Sequence, residues 1–217
     1  MSRRSPAVAT VTVRERASPF RERFRREVLA TILEGAEQVF AEEGLRDAHV
    51  GQIAKRAGIA VGTLYNYYED RDALLAALLE QRRDELLTAL DEADAHEPGA
   101  PFRDQLLSFV HAYFAFLTAH RPFLKILMEG ELMHLQSTFP RAAAIHVTCH
   151  KRPLQRVEEL LGRGVASGDV RREVATPGPW LFLGMMRGIA IRDLRQYKSY
   201  EPADATLMVD LFLKGAG

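Results

Sequence analysis

Residues 49–68 carry the feature that most constrains the fold, because their spacing is typical of two short helices joined by a tight turn. The stretch has the sequence HVGQIAKRAGIAVGTLYNYY. Ile53 and Leu64 fall on the inner faces of the two helices, and Ala54 is small where the second helix crosses the first. Gly58 stands where such a turn needs a positive φ. Two helices joined in this way can place the second one in the major groove of DNA.

An ordinary corner in an all-α core is the alternative interpretation, and the wider sequence favours DNA binding. Residues 27–75 resemble the N-terminal domain of the TetR family of transcriptional regulators. The residues that carry the resemblance lie on the first helix, in the two short helices and at the start of the next one: Ala36, Phe40, Gly44, Ile53, Ala54, Ala57, Gly58, Gly62, Thr63, Leu64, Tyr65, Tyr67, Tyr68, Arg71, Leu74 and Leu75. The resemblance implies a homodimeric repressor that a small hydrophobic effector releases from a palindromic operator in double-stranded DNA.

The rest of the chain has apolar residues at helical spacing, and no segment shows the alternation expected of a strand. The predicted fold class is therefore all-α, with an N-terminal three-helix helix-turn-helix DNA-binding domain at residues 23–72. Residues 73–217 are predicted to form a C-terminal helical domain, which the resemblance assigns to ligand binding and dimerisation. A long helix starting near residue 69 is expected to link the two, and Pro153 to kink a later helix.

The net charge of zero conceals an uneven distribution of charge along the chain. Residues 1–26 contain eight arginines and two glutamates, whereas residues 27–72 contain four basic and nine acidic side chains. The positive field that DNA requires is therefore expected to come mainly from the N-terminal segment. We predict that residues 1–22 form a basic arm that is disordered in the free protein. Such arms can reach into the minor groove beside a bound helix.

The resemblance assigns roles to residues on the second short helix and just after it. Phosphate-contacting positions fall on Thr63, Tyr67 and Arg71, whose hydroxyl, phenol and guanidinium groups donate hydrogen bonds to phosphate oxygens. The base-facing positions form an overlapping set: Val61, Gly62, Thr63, Tyr65 and Asn66. Asn66 can pair with the edge of an adenine, and a solvated polar residue is the alternative for this position.

The resemblance also implies a dimer interface in the C-terminal half. Gly184 and Gly188 lie four residues apart on one face of a predicted helix, where each glycine costs about 1 kcal/mol relative to alanine. Close approach of a second helix would explain these glycines, and the alternatives are packing within one chain or a glycine that lines a cavity. The predicted interface residues lie on this helix and on the last one: Leu181, Gly184, Met185, Gly188, Ile191, Leu207 and Leu211.

An effector cavity is the second feature that the resemblance places in the C-terminal half. The candidate lining residues are aromatic and methionine side chains: Phe109, Tyr113, Phe116, Phe123, Met128, Trp180 and Met186. Aromatic and methionine side chains at helical spacing are also typical of a packed core, which is the alternative interpretation. The apolar character favours a hydrophobic or amphipathic effector over a sugar or a phosphate compound.

Other residues of the chain leave alternative functions open. His146, Cys149 and His150 share one helical face at a spacing suited to metal ligands, so a metal or redox sensor is an alternative. A DNA-binding structural protein of the same fold without an effector is another. The sequence has no catalytic motif, so we predict no enzyme activity, no cofactor and no metal. The single cysteine and the lack of a long apolar segment predict a cytoplasmic protein that has no membrane partner.

Overall fold

The structure is a computed structural model that describes residues 19–95, 99–132, 135–196 and 200–216. These residues form helices and their connecting turns and contain no strand, so the all-α prediction is confirmed. The arm predicted for residues 1–22 is shorter than expected, because the first helix already begins at Pro19, and its residues 1–18 lie outside the described ranges. Single 3₁₀ turns at Leu135–Ser137 and Arg172–Val174 precede α7 and α8. The helices are α1 (Pro19–Glu43), α2 (Val50–Arg56), α3 (Val61–Tyr65), α4 (Arg71–Ala95), α5 (Phe102–Ala119), α6 (Arg121–Leu132), α7 (Pro140–Ser167), α8 (Gly178–Gln196) and α9 (Pro202–Ala216).

The first three helices pack around a common apolar centre and, together with the start of α4, form what we call the head, residues 27–72. The inner faces of the helices supply side chains that are fully buried: Ile32, Ala36, Phe40, Ile53, Ala54 and Leu64. These are inner positions predicted from helical spacing. Burial of each isoleucine, leucine or phenylalanine side chain stabilises the fold by about 1.5–3 kcal/mol.

The remaining helices form the C-terminal part, in which α4 packs along α7 and against α5, while α8 and α9 pack on α7 and α5. Side chains between these helices are at most 1% exposed: Leu78, Leu79, Phe114, Val157, Leu161, Phe182, Met186 and Val209. Pro153 lies inside α7 without ending it. Within the described ranges, no helix is both long and apolar enough to cross a membrane.

A buried ion pair joins the head to the linking helix. Arg82 of α4 donates from Nη2 and Nε to Oε2 of Glu37 on α1, at 2.5 and 3.0 Å. Its Nη1 donates to Glu85 at 2.7 Å. Glu37 and Arg82 are 5% and 8% exposed, so water screens their attraction far less than it would at the surface.

A second polar contact joins the start of α4 to α7. The carboxylate of Asp72 accepts the backbone N–H groups of Arg141 and Ala142, both at 2.9 Å. The first N–H groups of a helix have no partners within it, and a negative charge there is favoured by the helix dipole. Asp72 therefore caps α7 from another helix and ties the N-terminus of α7 to the head end of α4.

We expect Glu37→Ala to lower the free energy of unfolding by about 3 kcal/mol, because it leaves the Arg82 guanidinium buried without its main partner. A double variant, Glu37→Met with Arg82→Met, should be closer to the parent, since it buries no unpaired charge. Urea unfolding followed by circular dichroism measures both. Arg23→Ala, which breaks the exposed pair with Glu27, is the control and should change the midpoint little. A Glu37→Ala midpoint equal to that of the control would show that the buried pair does not stabilise the fold.

Candidate nucleic-acid interface

The turn between α2 and α3 is fixed by backbone hydrogen bonds and by contact with α1. The Ile59 N–H donates to the Ala54 carbonyl at 3.0 Å, and Gly58 has φ +68, a conformation that other residues rarely adopt. A Cβ at Gly35 of α1 would lie 3.2 Å from the Ala57 nitrogen. The turn therefore packs closely on the middle of α1, and the angle between α2 and α3 is set by the rest of the head.

The helix α3 presents most of its residues to solvent. Leu64 is its only buried residue, whereas Val61 and Tyr65 are 42% and 50% exposed. Gly62 is exposed, and a Cβ there would meet no atom within 4 Å. Asn66, which follows the helix, is also exposed. The predicted base-facing positions thus lie on an open surface that can enter a groove, and their contacts with bases stay predictions.

The predicted phosphate-contacting residues Thr63 and Tyr67 are half-buried beside this surface. The neighbouring Tyr68 packs against the core, and its burial raises the pKa of its phenol. At the start of α2, the Gln52 side chain accepts the His49 N–H at 2.8 Å. Sequence analysis missed this contact, although a glutamine three residues after a cap position is a recognised signal.

Arg71 has a structural role in the head in addition to the phosphate contact predicted for it. Its guanidinium donates to the carbonyl of Arg46 at 2.9 Å and to the carbonyl of Ala48. It also lies over the ring of Phe139, 5.1 Å from the ring centre. Arg71 therefore holds the loop between α1 and α2 and packs against the C-terminal part. A contact with phosphate would have to share or replace these bonds.

Two side chains of α6 hold the end of α1, and sequence analysis missed both. Lys125 donates to the Ala41 carbonyl in the last turn of α1. Glu129 accepts the Leu45 N–H at 2.9 Å, just after Gly44, whose φ is +85. These two contacts bind α6 to both sides of the turn that ends α1. Movement of α6 would therefore reach the head directly, as would movement of α4.

The residues predicted to line an effector cavity lie mostly in the packed core. Phe109, Phe116, Phe123 and Met186 belong to the buried cluster and are at most 8% exposed. The remaining three differ from these: Tyr113 and Met128 are half-buried and Trp180 is 66% exposed. Burial raises the pKa of the Tyr113 phenol to about 12. An effector that used the predicted core residues would need them to move apart, so their role as ligand contacts stays a prediction.

A groove of about 560 Å³ lies between α7 and α8. We call it the α7–α8 groove, and of the predicted ligand residues it includes Trp180. Its lining combines apolar groups with one lysine and several hydrogen-bonding groups: His146, Val147, His150, Lys151, Leu154, Gln155, Glu158 and Trp180. Its volume falls in the range of small-molecule sites. Val147 was not singled out from the sequence, and it is 59% exposed.

The predicted dimer residues on α8 and α9 are exposed or half-buried, and we call this set the α8–α9 face. Leu181, Leu207 and Leu211 are 60%, 59% and 54% exposed. A Cβ at Gly184 or Gly188 would meet no atom of the described residues within 4 Å, so packing among those residues requires neither glycine. The two other predicted interface residues, Met185 and Ile191, are half-buried.

The structure gives His146 and Cys149 contacts typical of a packed interior. His146 Nε2 lies 3.0 Å from the Leu127 carbonyl oxygen, and the Cys149 thiol lies 3.7 Å from the Leu79 carbonyl oxygen. Burial raises the pKa of the Cys149 thiol to about 12 and lowers the pKa of the His150 imidazole to about 4. No group of three potential metal ligands comes together within the described ranges. A thiol that stays protonated is a poor redox sensor.

The head has the geometry of a helix-turn-helix DNA-binding domain, and comparison with known proteins identifies its family. Residues 32–78 match the sequence model of the bacterial regulatory proteins of the tetR family. The fatty acid metabolism regulator protein of Bacillus subtilis (strain 168) is 28% identical over 140 residues, which cover 64% of this chain and 69% of that protein. The match assigns residues 32–78, and so the head, to the DNA-binding domain of the TetR family of transcriptional regulators.

Solved structures show that the likeness in fold extends over most of the chain. The fatty acid degradation regulator FadR from Bacillus halodurans is 23% identical, with a TM-score of 0.72 over 87% of this chain and 99% of that one. FadR from Bacillus subtilis, solved in complex with stearoyl-CoA, is 19% identical, with a TM-score of 0.72 and the same coverage. The arrangement of a helix-turn-helix head and a C-terminal helical part is therefore that of known regulators.

We expect Arg71→Ala to lower the stability of the protein by about 1–3 kcal/mol, because it leaves the carbonyls of Arg46 and Ala48 without their donor. If Arg71 also contacts phosphate, the slope of log affinity against log salt should fall by about 1 per protomer. Urea unfolding and a salt titration of DNA binding separate the two effects. Tyr67→Phe is the comparison, since it should reduce affinity for all sequences and leave stability nearly unchanged. Unaltered stability of Arg71→Ala would contradict the structural role.

Proposed function

We propose that the protein is a homodimeric repressor that binds a pseudo-palindromic operator and is released by a small hydrophobic effector. One observation carries the proposal: the same chain exposes a recognition surface on α3 and a separate apolar surface on α8 and α9. The first is suited to a DNA groove, and the second to a copy of itself. The family supports both, and the C-terminal part supplies a groove for the effector.

The α8–α9 face supports dimerisation. Three leucines there are each more than half exposed, and contiguous apolar patches of this kind mark interaction surfaces. Gly184 and Gly188 each cost about 1 kcal/mol in a helix, and no close contact among the residues that the structure describes explains that cost. Two copies related by a twofold axis would bring these glycines together and allow the two α8 helices to approach closely.

A dimer also solves the problem of specificity. The helix α3 has five residues, too few to specify a long site alone. Two heads related by a twofold axis would read two half-sites whose centres lie about 34–36 Å apart or somewhat further. Selection of binding sites from random duplex DNA should therefore enrich inverted repeats. Enrichment of single, unrepeated half-sites would contradict the dimeric repressor.

The α7–α8 groove supports an effector that has an acyl chain. Val147, Leu154 and Trp180 give it an apolar surface, and Lys151 adds a positive charge that could meet a carboxylate or phosphate group. Among the relatives, one is a fatty acid metabolism regulator and another was solved with stearoyl-CoA. We infer that fatty acyl compounds are the class of effector to test first.

Contacts described above link this groove to the head. The groove uses residues of α7, and α7 is capped at its start by Asp72 of α4. Arg71, the preceding residue, holds the loop between α1 and α2. A ligand that displaces α7 would thus act on the first turn of α4 and on the spacing of the two heads. Coupling energies of this kind are typically about 1–3 kcal/mol.

We expect Gly184→Phe to weaken the dimer strongly while the protomer stays folded, because Gly184 is exposed and a Cβ there meets no described atom within 4 Å. Sedimentation equilibrium or native mass spectrometry gives the mass, and circular dichroism checks the fold. Gly162→Phe on α7 is the matched control, since a Cβ there also meets nothing within 4 Å and the position lies off the α8–α9 face. A Gly184→Phe protein that remains a dimer would rule out this face as the interface.

We expect stearoyl-CoA to shift the emission of Trp180 to shorter wavelength and to release the protein from DNA at similar concentrations. Trp180 is the only tryptophan of the chain and is 66% exposed, so its fluorescence reports on the α7–α8 groove. Coenzyme A without the acyl chain is the control ligand, and Lys151→Ala should raise the dissociation constant.

The fluorescence and DNA-release measurements also distinguish a regulator from a structural DNA-binding protein of the same fold. Release from DNA without a change in Trp180 emission would place the effector elsewhere in the C-terminal part. Failure of fatty acyl compounds to cause release would contradict the acyl proposal, and failure of a broad set of apolar compounds would favour the structural protein.

A further inference from the structure

The head carries few cationic groups that are available to DNA. Residues 27–72 contain four basic side chains, and two of them are engaged within the protein. Arg56 donates to Glu42 at 2.6 Å and to Gln38 at 2.9 Å, and Arg71 donates to two backbone carbonyls. Nine carboxylates lie in the same range. Because Lys and Arg side chains that neutralise phosphates supply the salt-dependent part of DNA affinity, cations from outside this range would add to that part.

The first two turns of α1 are a surface with that charge. Every described side chain from Arg21 to Glu27 is exposed. Arg21, Phe24 and Arg25 are spaced three and four residues apart, so they share one face of the helix. Phe24 is 58% exposed, so its ring is open to contact from outside the protein. Among the arginines of these two turns, Arg23 forms an ion pair within the described ranges, with Glu27 at 3.0 Å.

The position of these turns suits a contact beyond the helix-turn-helix. The contacts described above between α1 and the C-terminal part involve Glu37 and Ala41, in the second half of the helix. The turn between α2 and α3 packs at Gly35. A helix rises 1.5 Å per residue, so Arg25 and Arg21 lie roughly 15 and 21 Å from Gly35 along the α1 axis. They lie in the direction away from the α6 contact.

We propose that Arg21 and Arg25, with Phe24 between them, form a clamp on the DNA backbone outside the groove that α3 enters. A guanidinium can donate two hydrogen bonds to one phosphate, and the exposed ring of Phe24 can pack on a sugar or on the edge of the groove. The occupant is duplex DNA, since the face is cationic and belongs to a DNA-binding domain. The clamp rests on DNA binding by the head and adds a sequence-independent part to it.

The test is a salt titration of binding to a duplex of about 30 base pairs of arbitrary sequence, which needs no knowledge of the operator. The double variant Arg21→Gln with Arg25→Gln keeps good helix formers in place, and circular dichroism confirms that α1 is intact. Each lost phosphate contact lowers the slope of log affinity against log salt by about 0.9. We expect a decrease of about 1–2 per protomer and at least a tenfold loss of affinity in low salt.

Two control variants separate a local contact from a general effect of charge. Arg152→Gln with Arg172→Gln removes the same charge from exposed positions of the C-terminal part and should leave the slope unchanged. Arg21→Lys with Arg25→Lys should retain most of the slope, because lysine also neutralises phosphate. Phe24→Ala should weaken binding with no change in slope.

Each possible result decides between the clamp and its alternatives. A slope equal to that of the parent in the Arg21→Gln, Arg25→Gln protein would overturn the clamp and leave DNA binding by α3 intact. An equal decrease in the C-terminal control would overturn it too, since net charge alone would then explain the effect. A parent protein that binds no duplex at all would overturn DNA binding itself, which is a distinguishable failure.

Discussion

The buried ion pair between Glu37 and Arg82 is the contact on which the relation between the two parts of the chain depends. Either charge would be costly to bury alone, and each is paired with the other only while α4 lies against α1. This pair helps to hold α4 against α1, and α7 and α5 pack along α4. A movement of α4 that starts in the C-terminal part must therefore either move α1 as well or break the Glu37–Arg82 ion pair, which costs free energy.

The features of the head that could be predicted from the sequence are those that local physics determines. The end of α1 before Gly44 follows from the positive φ at that glycine, and the turn at Gly58 follows from the same property. The outward face of α3 follows from the position of Leu64, its single buried residue. Such features depend on helical period and on backbone conformation, and both are encoded within a few residues.

The contacts that connect the head to the rest of the chain could not be predicted in this way. Glu129 and Leu45 are 84 residues apart, and Asp72 and Arg141 are 69 residues apart. No local pattern specifies such pairs, because each depends on how whole helices pack. The effector residues were ambiguous for another reason. A stripe of aromatic and methionine side chains has the same periodicity whether it fills a core or lines a cavity, and Phe123 and Met186 lie in the core here.

Arg71 and Asp72 are adjacent in the chain, yet one holds the loop of the head and the other caps α7. Consecutive residues of a helix point about 100° apart, so this single step in sequence sets the rotation of the head about the axis of α4. One inserted or deleted residue at this point would turn one of the two side chains away from its partner. The head of a relative could therefore replace this head only if the fusion keeps the same number of helical residues across this boundary. Recombination between family members is constrained here by helical phase more than by surface complementarity.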